Sequence, residues 1–91
     1  MKYRRLGHTG VYVSELCLGA MTFGTEWELI GALGQKEADA LVNRSIDAGI
    51  NFFDTAELYP IMPRKETYGA TERIIGNWLN ERGNRDKIII A

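Results

Sequence analysis

The chain has one cysteine, one histidine and two prolines in 91 residues, and it has no apolar run approaching the ~20 residues of a membrane-spanning helix. The single thiol, Cys17, excludes an internal disulfide and fits a reducing compartment. In the setting Leu16-Cys17-Leu18 it reads as a small core hydrophobe. Charge of one sign is also lacking. Eleven Lys and Arg oppose twelve Asp and Glu, a formal net charge of −1, and no basic run is present to follow a phosphate backbone. Neither a nucleic-acid nor a membrane partner is expected. The opening MKYRRLGHTG has charge but no apolar core of a signal peptide, so a cytoplasmic location is expected. No metal site is predicted, and oligomeric state is not encoded in any pattern here. Repeats of solenoid length and low-complexity segments are absent as well.

What is present is an alternation of short apolar runs with helical periodicity. Tyr3 to Leu6 and Val11 to Val13, joined by the Gly7–Gly10 turn, predict a β-hairpin. Leu16, Cys17 and Leu18 predict a first buried strand ended by Gly19. A long loop from Thr25 to Gly34 leads to a helix from about Lys36 to Ala48, on which Ala38, Leu41, Val42, Ser45 and Ile46 share one face. Gly49 stops that helix in the left-handed region. Ile50, Phe52 and Phe53 then predict a strand buried on both faces. A second helix, ending near Arg82 with Gly83 behind it, carries the stripe Ile74, Ile75, Trp78 and Leu79, and Glu72 suits its first turn. Ile88 to Ile90 predict a third buried strand. Strands alternating with helices imply right-handed crossovers and a parallel α/β sheet.

The stretch Ala48 to Tyr59, AGINFFDTAELY, carries the strongest functional signal. Asp54 stands where a parallel strand runs out, which is the end of the sheet where α/β folds place their chemistry. Tyr59 follows five positions later in the loop that the strand feeds. The glycines of GAMTFG, Gly19 to Gly24, do not have the spacing of a GxGxxG dinucleotide fingerprint. Arg64, Lys65 and Glu66 read as a solvated loop face, and Arg73 and Arg82 as the solvated side of a helix.

GINFFDTAELY resembles the second-strand signature of the aldo-keto reductases, in which Asp and Tyr are two of four catalytic residues and the others are a Lys and a His. The opening YRRLGHTGVYVSELCLGAMTFG, the run YGATERIIGNWL and the closing strand DKIIIA agree with the family in order. The insert YPIMPRKETYG most resembles the Tas-like branch of NADP(H)-dependent members. The resemblance implies that residues 1–91 are the N-terminal part of one (β/α)₈ barrel domain, hairpin plus β-α-β-α-β. Such a barrel needs about 250 residues, so a partial sequence or a truncated product is expected.

It also implies roles. Reducing a carbonyl with a nicotinamide delivers hydride to carbon and leaves an oxygen that must take a proton. A phenol with an unperturbed pKa of about 10 donates it well near neutral pH only beside a cation, which a carboxylate can hold in place. By resemblance Tyr59 is the proton donor and Asp54 the partner of a lysine. Lys65 lies in the insert and Lys87 before the third strand, and His8 lies in the hairpin turn, so the family's Lys and His are not among these residues. The resemblance places Gly19, Ala20 and Met21 under the ribose of NADP(H), with Asp54 beside them; the alternative is that the glycines simply allow tight turns. It puts Trp27, with Tyr59, at the rim of a pocket for a small carbonyl substrate, although an aromatic covering the barrel mouth would look the same. The expected activity is reduction of aldehydes or ketones, with these residues alone inactive. A cofactor-binding regulatory subunit of the same fold and a non-functional truncated product stand as alternatives.

Overall fold

A computed structural model of the chain describes residues 1–25 and 33–91. Strands β1 (Tyr3–Arg5) and β2 (Tyr12–Ser14) form an antiparallel hairpin with Arg4 opposite Val13. Strand β3 (Leu18–Gly19), helix α1 (Gln35–Asp47), strand β4 (Phe52–Asp54), helix α2 (Ala70–Arg82), a 3₁₀ turn at Arg85–Lys87 and strand β5 (Ile89–Ile90) follow. The last three strands make a parallel sheet in the order β3-β4-β5, with Leu18 beside Phe53 and Phe53 beside Ile90. The predicted order of elements is therefore the observed one.

Side chains on a strand alternate between faces, so this register divides the sheet cleanly. Leu18, Phe53 and Ile90 point to one face, and both helices pack there. Ala38 and Val42 from α1, and Ile74, Ile75, Trp78 and Leu79 from α2, bury themselves around Phe53. The Trp78 and Phe53 rings meet at a tilt of 58° with centroids 6.2 Å apart. Polar ties cross between the helices as well. The Trp78 indole N–H donates to Asn43 Oδ1 at 2.8 Å, and Gln35 Nε2 donates to the Ile74 carbonyl at 2.9 Å. Acidic Glu37 and Glu72 lie in the first turns of the helices and basic Arg44 and Arg82 in the last, which complements each helix dipole.

The hairpin closes the amino end of the sheet. Its Ser14 N–H donates to Asn51 Oδ1 at 2.8 Å, and the Asn51 N–H returns a bond to Ser14 Oγ at 3.2 Å. Tyr3 Oη donates to the Gly49 carbonyl at 2.6 Å. Gly49 has φ of +96°, and a Cβ there would stand 2.8 Å from Met1 Cβ, so both conformation and space require glycine.

Three packing expectations are corrected. Leu16 and Cys17 precede β3 rather than forming it, and both are exposed, Leu16 at 60%. Cys17 is therefore not a core hydrophobe: β3 is an outer strand of the three-strand sheet, and nothing among the described residues covers the segment leading into it. Leu41 is 46% exposed, although Ala38 and Val42 beside it on α1 are buried. Phe53 is fully buried but Phe52 only half-buried, because both helices lie on one face of the sheet. The third strand begins at Ile89, with Ile88 buried just ahead of it. Among the described residues no helix is long and apolar enough to cross a membrane.

Candidate active site at the carboxyl end of the sheet

The parallel register sets Gly19 directly beside Asp54, both on the face opposite the helices. The Ala20 N–H donates to the Asp54 carbonyl at 3.0 Å, so the two chains stay paired one step past the strands. Asp54 is exposed, and no cation among the described residues pairs with its carboxylate. It is thus an exposed charge at the sheet's end. Its field reaches the neighbouring thiol: Cys17 is pushed up first by loss of solvent and then by the Asp54 charge.

The β3–α1 connection turns sharply at Ala20–Thr25, where the Phe23 N–H donates to the Ala20 carbonyl and the Thr25 N–H to the Thr22 carbonyl, both at 3.0 Å. Gly24, at φ of +91°, lets this turn lie against α2, where a Cβ would come 2.9 Å from Ala70 Cβ. Thr71, fully buried, donates its hydroxyl to the Phe23 carbonyl at 2.5 Å. The turn in turn grips the loop after β4. The Ile61 N–H donates to the Met21 carbonyl at 2.9 Å, and Thr25 Oγ1 donates to the Ile61 carbonyl at 2.8 Å.

Tyr59 lies two residues before Ile61, and both of its backbone polar groups are used: its N–H donates to the Ala56 carbonyl and its carbonyl accepts from the Gly69 N–H, each at 3.1 Å. Pro60 beside it is buried. The side chain of Tyr59 is half-buried. Gly19, Ala20, Met21, Asp54 and Tyr59 thus all belong to the carboxyl end of the sheet. The hairpin carrying His8 bonds to the opposite end. Trp27 lies outside the described residues. The same loop holds a second phenol, Tyr68, whose pKa is raised, first by loss of solvent at its hydroxyl and then by the Glu57 carboxylate. Thr25, Thr71 and Ile61 were not singled out from the sequence. Their bonds span 36 to 48 residues, so no local spacing announces them.

The residues at this end fit a dinucleotide floor in one respect. Gly19 is exposed, and a Cβ built on it would meet nothing within 4 Å, so the backbone beside Asp54 is open to close approach by a ligand.

Residues 15–91 match the aldo/keto reductase family model. The chain belongs to that family. It is 44% identical over its whole length to protein tas of Escherichia coli, of which it covers 25%. Over 90% of its length it is 37% identical to an aryl-alcohol dehydrogenase [NADP(+)] of Phanerodontia chrysosporium, of which it covers 20%. A solved structure from Pseudomonas aeruginosa, itself assigned as an aldo-keto reductase, superposes on 97% of the chain with a TM-score of 0.72 at 35% identity, the match covering 29% of that protein. The chain therefore spans about a quarter of the length of the relatives it matches. Its hairpin and three-strand α/β unit are the corresponding part of the aldo-keto reductase fold.

Proposed function

We propose that residues 1–91 form the amino-terminal part of an NADP(H)-dependent aldo-keto reductase that reduces aldehydes or ketones, and that they contribute its proton donor and part of its cofactor floor. The observation that carries this reading is the pairing of Gly19 with Asp54 and of Met21 with Ile61, which joins the open glycine floor, the carboxylate and the Tyr59 loop at one end of the sheet. The family match and the cofactor printed in the name of the Phanerodontia relative support NADP(H).

Bound NADPH supplies hydride to the carbonyl carbon. Each residue of the chain then has a chemical task. The Tyr59 hydroxyl donates the proton that the carbonyl oxygen needs as it gains charge. Asp54 holds a lysine ammonium against the phenol, which makes the phenol a better acid. Gly19, Ala20 and Met21 would hold the nicotinamide ribose on their backbone, and the half-buried ring of Tyr59 would border the carbonyl substrate.

The test is consumption of NADPH by the full-length protein in the presence of an aromatic aldehyde, with the alcohol product identified. Stoichiometric alcohol and NADP⁺, with NADPH preferred to NADH, are expected. Tight NADPH binding without alcohol would instead identify a regulatory subunit, and neither binding nor turnover would contradict the reading.

A further inference from the structure

The cofactor floor and the acid-bearing loop come from segments some 40 residues apart in sequence, yet proton donation works only if they hold one register. A reacting atom displaced by about 1 Å can lose on the order of 100-fold in rate. Two hydrogen bonds on a single residue, Ile61, join the two segments. The Ile61 N–H donates to the Met21 carbonyl at 2.9 Å, and the Ile61 carbonyl accepts from Thr25 Oγ1 at 2.8 Å. The first bond is main chain to main chain and survives any substitution except proline. The second depends on one hydroxyl, and Thr25 is only 3% exposed, so water has little access to replace it.

The turn that presents Thr25 is itself fixed from behind. Thr71 in the first turn of α2 is fully buried and donates to the Phe23 carbonyl, and Gly24 seats the turn against Ala70. The path runs from α2 through the turn to Ile61, and so to Tyr59 two residues away, whose own main chain is tied at Ala56 and Gly69. Thr25 is held through this turn against α2, and its hydroxyl bonds Ile61, two residues from Tyr59. We infer that Thr25 is a positioning residue, whose hydroxyl registers the Tyr59 loop on the cofactor turn and so aligns the proton donor with the bound nicotinamide. This inference rests on the reading of Tyr59 as the proton donor.

The test uses Thr25→Val, Thr25→Ser and Tyr59→Phe, singly and with Thr25→Val combined with Tyr59→Phe, all in the full-length protein. Thr25→Val keeps the shape and removes the hydroxyl. It is expected to lower kcat by about tenfold or more while the NADPH Kd and the carbonyl KM stay within about twofold. Thr25→Ser keeps the hydroxyl and is expected to retain most of kcat. In the Tyr59→Phe background, Thr25→Val is expected to lower residual turnover no further, because an effect exerted through the phenol vanishes with it. A Thr25→Val protein with normal kcat, a further loss in the double variant equal to the single loss, or a Thr25→Ser protein impaired in kcat would each overturn the inference; the serine variant decides it even where the valine variant does not fold. Normal turnover in Tyr59→Phe alone would instead overturn the reading of Tyr59, and is thereby distinguishable.

Discussion

Two phenols sit in the segment between Asp54 and α2, and their neighbours separate them. Tyr68 is flanked by Glu57 and Glu72, and its raised pKa makes it a poorer acid near neutral pH than an ordinary tyrosine. Tyr59 sits where the loop is tied to the turn after β3, through the neighbouring Ile61. Tyr68→Phe is therefore expected to leave kcat of the full-length protein within about twofold, since the proposed acid catalysis, worth about 10²–10⁴-fold, is assigned to Tyr59. A loss of two orders of magnitude on removing the Tyr68 hydroxyl would reverse the assignment. At the same scale, Gly24→Ala places a methyl 2.9 Å from Ala70 Cβ in a backbone at φ of +91°. It should cost about 1–3 kcal/mol of stability, read as a lower denaturant midpoint at unchanged m-value. Asp54 is legible as a site candidate from its place at a strand end, while the roles of Asp54 and Tyr59 come from the family resemblance of GINFFDTAELY. Thr25 and Thr71 are not legible, because a buried threonine hydroxyl bonding a distant carbonyl leaves no local pattern.

The elements were read from apolar periodicity, and periodicity located them well. Helix α1 was expected from about Lys36 to Ala48 and runs Gln35–Asp47, and the α2 stripe Ile74, Ile75, Trp78 and Leu79 is buried as expected. Periodicity does not say what lies opposite a stripe. Leu41 falls on the same helical face as Ala38 and Val42, yet it is exposed because nothing in the described part of the fold reaches it. Leu16 and Cys17 were misplaced for the same reason: an apolar pair ahead of an outer strand looks like a strand, and only the sheet order shows that no neighbour covers it. The contrast has a measurable consequence. Phe53→Ala empties the space against Trp78 and should cost about 3–5 kcal/mol, whereas Leu41→Ala should cost clearly less in the same denaturation series. Equal losses would show that the core is not centred on the face of the sheet that Phe53 occupies.

Across the described residues as a whole, one face of the sheet is covered by the helices. Both helices lie against Leu18, Phe53 and Ile90, while Phe52, Ile89, Gly19 and Asp54 occupy the other face. In an aldo-keto reductase barrel that second face would be the interior, and the chain spans about a quarter of the relatives it matches. A polypeptide of residues 1–91 expressed alone is accordingly expected to consume NADPH no faster than buffer with an aromatic aldehyde, because Tyr59 would lack the lysine that activates it. Enzyme-like turnover by that polypeptide would show that these residues need no such cation. The central claim is that Tyr59 donates the proton at the carboxyl end of this sheet. It is tested most directly by kcat of the full-length Tyr59→Phe protein, measured beside its NADPH affinity. The expected result is a fall in kcat of about 100-fold or more with NADPH affinity within about twofold, since the ring stays and only the hydroxyl is lost. Turnover close to that of the unaltered protein would contradict it.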